Sequence, residues 1–160
     1  MKTAIIYMSS HGTVTKIVKQ LASQLSGEIQ LYNVRENKQV DIEHSDRIII
    51  GGSIHGGKIQ HGIRQFCEEN QNNLVTKELG LFICCFYEGP KAIQQLHDAY
   101  PSVLHKHAKA ETIMGGEFKL RKLNPFERFL VKHIAKTTSD VDKLDRQAFQ
   151  NFVTAMEKAN

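Results

Sequence analysis

Ala4–Thr15 reads AIIYMSSHGTVT, and the fold of the chain is decided on this stretch. Ala4–Met8 is a short apolar run rich in β-formers, as expected of a strand buried on both faces in a parallel sheet. Polar Ser9-Ser10-His11-Gly12-Thr13 follows. Ile17, Val18, Leu21, Ala22 and Leu25 then recur at helical spacing, predicting an amphipathic helix over about 14–26 with Gly27 as its C-cap. Strand, hydroxyl-bearing loop and helix form one βα unit.

The same alternation continues outward. Ile29, Leu31 and Val34 alternate as a second strand would, and Arg47–Ile50 with Gly51 forms a third. A helix is expected over about 61–72, with Ile63, Phe66 and Cys67 on its buried face. Leu79–Phe86 (LGLFICCF) is the fourth strand. Ala92–Tyr100 reads as a helix stopped before Pro101, and Ala110–Gly115 as the fifth strand. Asp145–Ala159 is a terminal helix with Phe149, Phe152, Val153 and Met156 inward. Strands alternating with helices imply βαβ units and a parallel sheet covered on both faces, here as one α/β domain over residues 1–160. One segment is surplus to this pattern. In Lys119–Lys136, Pro125 suits the first residue of a helix with Asn124 as its N-cap. Phe126, Phe129, Leu130, His133 and Ile134 share one face there, and Arg128, Lys132 and Lys136 another.

Composition narrows the function classes. The net charge is +4 and the pI about 9.0, which favours anionic partners without choosing among phosphates, nucleic acid, acidic lipid and acidic proteins. No run of 18 apolar residues is present, so no membrane span is expected. The N-terminus passes straight into a strand and does not read as a signal peptide. Three cysteines, Cys67, Cys84 and Cys85, speak against a disulfide framework and for a reducing, cytoplasmic setting. Cys84 and Cys85 are adjacent on a strand and point to opposite faces, which favours structural thiols over a redox pair. His105-x-His107 has no further ligands around it, and no metal site is expected.

In a doubly wound sheet, ligands sit beyond the carboxyl ends of the strands. The loop there after strand one is Ser9-Ser10-His11-Gly12-Thr13-Val14-Thr15. Its hydroxyls, glycine and helix start suit a phosphate, although an ordinary capping loop has the same composition. Neither G-x-x-x-x-G-K-[ST] nor G-x-G-x-x-G occurs there. A phospho-receiver domain needs acidic residues at the end of strand one, and Tyr7-Met8-Ser9-Ser10 has none.

On these residues the chain resembles the flavodoxin family, whose phosphate loop has the form [ST]-x-T-G-x-T. Ser9 and Gly12 match, while His11 and Val14 stand where threonine is usual; Thr13 and Thr15 are the hydroxyls that could compensate. The resemblance implies a five-stranded parallel sheet in order 2-1-3-4-5, with flavin mononucleotide (FMN) as cofactor. It also implies two loops around the isoalloxazine ring. One is Gly51–Lys58, with Ser53, Ile54, His55, Gly56 and Gly57 near the ring. The other is Cys85–Gly89, with Phe86, Tyr87, Glu88 and Gly89. Tyr87 is the better stacking residue, since Phe86 reads as core.

Within that family, the basic charge counts against a soluble electron carrier, since carriers of this kind are usually acidic. The chain is similar to the flavodoxin-type menaquinone-dependent protoporphyrinogen dehydrogenases in three places. These are Ile50–Gly57, Gly115-Gly116 and the basic, aromatic-bearing insertion Arg121–Lys136. Its strand-four loop departs from theirs. The resemblance implies protoporphyrinogen as electron donor and menaquinone as acceptor, with peripheral membrane contact through 121–136 and no nucleic-acid partner. An electron carrier, or an FMN-free binding domain on the same fold, are the alternatives.

Overall fold

The computed structural model describes residues 1–9, 12–36, 39–118, 125–134 and 141–158. Strand β1 (Lys2–Tyr7) leads to helix α1 (Thr13–Gln24) and strand β2 (Glu28–Asn33). Strand β3 (Arg47–His55) turns into the two-residue strand β4 (Lys58–Ile59), which leads to helix α2 (His61–Leu74). Strand β5 (Glu78–Cys84), helices α3 (Gly89–Ala99) and α4 (Ser102–His107), and strand β6 (Ala110–Ile113) follow. A hairpin pair, β7 (Gly115–Phe118) and β8 (Val141–Leu144), brackets helix α5 (Pro125–Ile134). Helix α6 (Arg146–Glu157) closes the chain.

The main sheet runs β2-β1-β3-β5-β6, with every neighbouring pair on this path parallel. This is the expected order 2-1-3-4-5, since β4 lies off the path as an antiparallel partner of β3. Side chains alternate between two cores, as the period of a strand requires. Along β5, Leu79, Leu81 and Ile83 enter one core, against Ile63 and Cys67 of α2 and Leu104 of α4. Phe82 and Cys84 enter the other, against Ile17 and Leu21 of α1 and Phe152 and Met156 of α6. Burial of each such side chain contributes about 1.5–3 kcal/mol, which is why the strands read as unbroken apolar runs.

Several expectations are corrected. Strand three does not stop at Gly51 but continues to His55. Gly51 is packed rather than looped: a Cβ there would lie 2.0 Å from the Phe82 ring. The third helix starts at Gly89, three residues before Ala92, with Pro90 in its first turn. Strand five ends at Ile113, because Gly115 has a φ of 71° and turns the chain into β7. The first helix ends at Gln24 with Leu25 as C-cap, so Gly27 lies beyond the cap. Asn124, the expected N-cap of α5, lies outside the described residues.

Candidate functional site

The carboxyl ends of β1, β3 and β5 meet along one edge of the sheet. Tyr7, the last residue of β1, pairs with Asn33 of β2 on one side and Gly51 of β3 on the other. The chain winds to opposite sides from here, so this is the topological switch point where ligands of such sheets bind.

Gly12 is the N-cap of α1 and adopts a left-handed φ of 85°. A side chain at that φ would be strained, and glycine also carries no group to cap the helix. The first-turn amides therefore lack a side-chain cap from the N-cap residue and present the positive end of the helix dipole. The Gly12 N–H donates to Ser9 Oγ at 3.1 Å, which folds Ser9 back over the helix start. Thr13 and Thr15 are half-buried. The Val14 side chain is buried in the core, so only its backbone faces the loop. Ser10 and His11 lie outside the described residues.

The second loop is tighter than expected. Ser53 and Ile54 belong to β3, and Ile54 pairs with Ile59 while His55 pairs with Lys58. The turn itself is Gly56-Gly57, with φ values of 56° and 81° that suit glycine. The Ser53 N–H donates to Gln60 Oε1 at 3.1 Å, which ties the hairpin to the start of α2. His55, Gly56 and Gly57 are exposed.

The third loop is Cys85–Glu88. Phe86 is half-buried, while Tyr87 is 37% exposed and has Lys91 Nζ 5.7 Å from its ring centroid. The Cys85 thiol donates to the Tyr87 carbonyl at 3.5 Å. Glu88 caps α3 with its backbone, and Gly89 has open space where a Cβ would stand. The structure thus brings Ser9, the Gly12–Thr15 segment, Ser53–Gly57 and Phe86–Gly89 to the carboxyl edge of the sheet.

The cysteine thiols are buried: Cys67 lies in α2, while Cys84 ends β5 and Cys85 opens the third loop. Cys84 and Cys85 belong to opposite cores. Burial pushes the Cys67 thiol up to about 12 and raises Cys84 and Cys85 as well, so none is a thiolate at neutral pH. His105 and His107 spend ring nitrogens on local partners: His105 Nδ1 lies 2.6 Å from Glu111 Oε1, and His107 Nε2 lies 2.8 Å from the Lys77 carbonyl.

A family model described as a flavodoxin domain matches residues 4–145. The chain belongs to the flavodoxin domain family. Among solved structures, it is similar to a flavodoxin of Streptococcus pneumoniae TIGR4, with a TM-score of 0.57 at 12% identity, covering 98% of this chain and 96% of that one. A flavodoxin from the domain Archaea gives 0.52 at 13% identity, over 98% and 94% of the two chains. Flavodoxin 1 from Bacillus cereus gives 0.51 at 14% identity, over 98% and 95%. At these identities the likeness is one of fold. No protein of curated function matches the chain significantly.

Two features of this flavodoxin domain escaped sequence reasoning. The β3–β4 hairpin was concealed because its second strand has only two residues, and the I-H-G-G-K pattern was its one signal. The β7–β8 pair was concealed because its four-residue strands are separated by the whole α5 segment.

Proposed function

We propose that this flavodoxin domain binds FMN, with the phosphate held by Ser9–Thr15 and the ring between the Gly56-Gly57 turn and Tyr87. The observation that carries this reading is Gly12, a left-handed N-cap without a side chain at the carboxyl end of β1. Backbone amides of Thr13, Val14 and Thr15 suit an anion, and the hydroxyls of Ser9 and Thr13 supplement them. Gly56 and Gly57 let backbone approach the ring edge. Tyr87 offers an aromatic face at the opposite loop. Bound FMN supplies one- and two-electron redox chemistry; the protein holds it, shields it and selects its partners.

Within that function, the reading favoured here is an oxidoreductase of the protoporphyrinogen dehydrogenase type, with menaquinone as acceptor. The support is α5, where Phe126 and Phe129 are 70% and 54% exposed beside exposed Arg128 and Lys132. Exposed aromatics among cations suit an acidic lipid surface, where a quinone resides, or the propionates of a tetrapyrrole. No helix among the described residues is long and apolar enough to cross a membrane, so contact of this kind would be peripheral.

Anaerobic turnover decides between enzyme and carrier. FMN-loaded protein is expected to consume protoporphyrinogen in the presence of a menaquinone analogue. Absence of turnover, with flavin still bound, puts the electron-carrier reading ahead. The double variant Phe126→Ser, Phe129→Ser is expected to cut sedimentation with anionic vesicles about tenfold, from the apolar area lost, while leaving FMN content unchanged. Unchanged sedimentation would remove α5 from the membrane reading.

A further inference from the structure

Strand β3 outruns its neighbours at the carboxyl edge of the sheet. Its pairing with β1 ends at Gly51, and its pairing with β5 ends at Ser53. Beyond Ser53 the chain is held in the β3–β4 hairpin by two residue pairs, Ile54–Ile59 and His55–Lys58. A hairpin that short is marginal by itself in water. Its turn stands in open space, since a Cβ built at Gly56 or Gly57 meets nothing within 4 Å. The position of the turn is therefore set at the base of the hairpin.

Two side chains secure that base. Ile59 is 6% exposed and belongs to the core that holds Ile63 and Cys67 of α2. Gln60 follows it, and its Oε1 accepts from the Ser53 N–H at 3.1 Å. Gln60 is the N-cap of α2, yet its side chain makes no capping hydrogen bond to that helix. An N-cap side chain ordinarily satisfies an amide of the first turn. Here it is committed to the hairpin instead. Two glycines give it room. A Cβ at Gly52 would stand 3.2 Å from Gln60 Oε1, so a larger residue would crowd the amide. A Cβ at Gly62 would stand 2.9 Å from Met8 Sδ, so glycine seats the first turn of α2 against the residue that follows β1. The acceptor is thus carried on a turn packed against the sheet.

We infer that Gln60 is a positioning residue for the ring side of the FMN site, fixing the Gly56-Gly57 turn through Ser53. This role rests on the FMN reading given above. Gln60 acts through the hairpin and needs no contact with the ring. With its hydrogen bond in place, the turn is preorganised, and binding the ring does not have to order it. Without that bond, the Ser53 N–H loses its protein acceptor and the hairpin opens more often. Part of the ring's affinity then goes into closing it. The phosphate end is spared, because Ser9 and Gly12–Thr15 belong to the β1–α1 connection.

Fluorescence titration of the full chain with FMN and with riboflavin, which carries the ring and no phosphate, tests this role. Gln60→Ala is expected to weaken both flavins by the same factor, about tenfold. Amide exchange at Ser53 in the flavin-free chain is expected to quicken about tenfold as well. Gln60→Glu keeps an acceptor oxygen at the same reach, and is expected to restore riboflavin affinity and Ser53 protection together. A parent chain that binds neither flavin overturns the FMN reading and this role with it. A parent chain that binds FMN with an affinity unchanged in Gln60→Ala overturns the positioning role alone. A loss confined to FMN also overturns it, by assigning Gln60 to the phosphate side. A loss that Gln60→Glu fails to restore does the same, by reducing Gln60 to packing.

Discussion

Gly12→Glu is expected to abolish FMN binding while leaving the chain folded. Two effects combine at this position. Gly12 has a φ of 85°, where a side chain costs roughly 1–2 kcal/mol. The new carboxylate also stands at the helix start proposed to face the phosphate. Like charges about 4 Å apart near a protein surface repel by about 4 kcal/mol, enough to weaken binding about a thousandfold. Gly12→Ala separates the two effects, since it carries the strain without the charge. It is expected to bind FMN more weakly than the parent and far better than Gly12→Glu. The measurement is the flavin absorbance retained after reconstitution and gel filtration, with thermal unfolding run alongside. Gly12 is exposed, so the fold should tolerate either change. Undiminished affinity in Gly12→Glu would move the phosphate elsewhere.

Arg47→Met is expected to cost about 3 kcal/mol of stability, the lower end of what breaking a buried ion pair costs, and to leave FMN binding intact. Arg47 opens β3 and its side chain is 3% exposed. Its Nε donates to Glu78 Oε1 and its Nη1 to Glu157 Oε1, both at 2.8 Å, while Nη2 donates to the Met156 carbonyl at 2.6 Å. One guanidinium thus ties β3 to β5 and to the last turn of α6. Methionine fills the space but strands the acceptors. Lysine keeps the charge without the fork, so Arg47→Lys should fall between the two. Urea unfolding measures this as a lower midpoint at unchanged slope. FMN binding is spared because the loops lie at the other end of the strand, about 25 Å away at 3.3 Å per residue.

The same cluster sets an acid dependence. Glu157 is held below its ordinary value of 4.5, first by the Ser26 hydroxyl and then by Arg47. A carboxylate with a depressed folded pKa contributes stability that is present above its unfolded value. That contribution is lost as pH falls through the lower folded value. Stability should therefore decline below about pH 4.5, and Ser26→Ala should flatten the decline. An identical acid slope in that variant would remove Ser26 from the account.

The architecture was legible because burial on both faces leaves a plain mark. A strand covered by helices above and below must be apolar throughout, so Ala4–Tyr7, Ile48–Ile50 and Leu79–Cys84 announced themselves. The opposite facing of Cys84 and Cys85 followed from strand geometry alone. Short elements were not legible. Lys58–Ile59 carries too few residues for a period, and β7 and β8 meet only after a long detour. The end of strand three was set too early, at Gly51, because a glycine that makes room for Phe82 looks, in sequence, like one that turns the chain.

The loop at Ser9–Thr15 returns to the same division. Its hydroxyls, its glycine and its place between strand and helix are properties of adjacent residues, and these twelve letters from Ala4 carry them. Local order therefore sufficed for the fold family, and the proposal for the phosphate end of the site rests on it too. The remaining features join residues distant in the chain. Arg47 meets Glu157 across 110 positions, and Tyr100 donates to the Phe82 carbonyl across 18. No local pattern encodes such meetings. They arise when the sheet assembles and its helices pack, because only then does burial turn an ordinary arginine into a clamp.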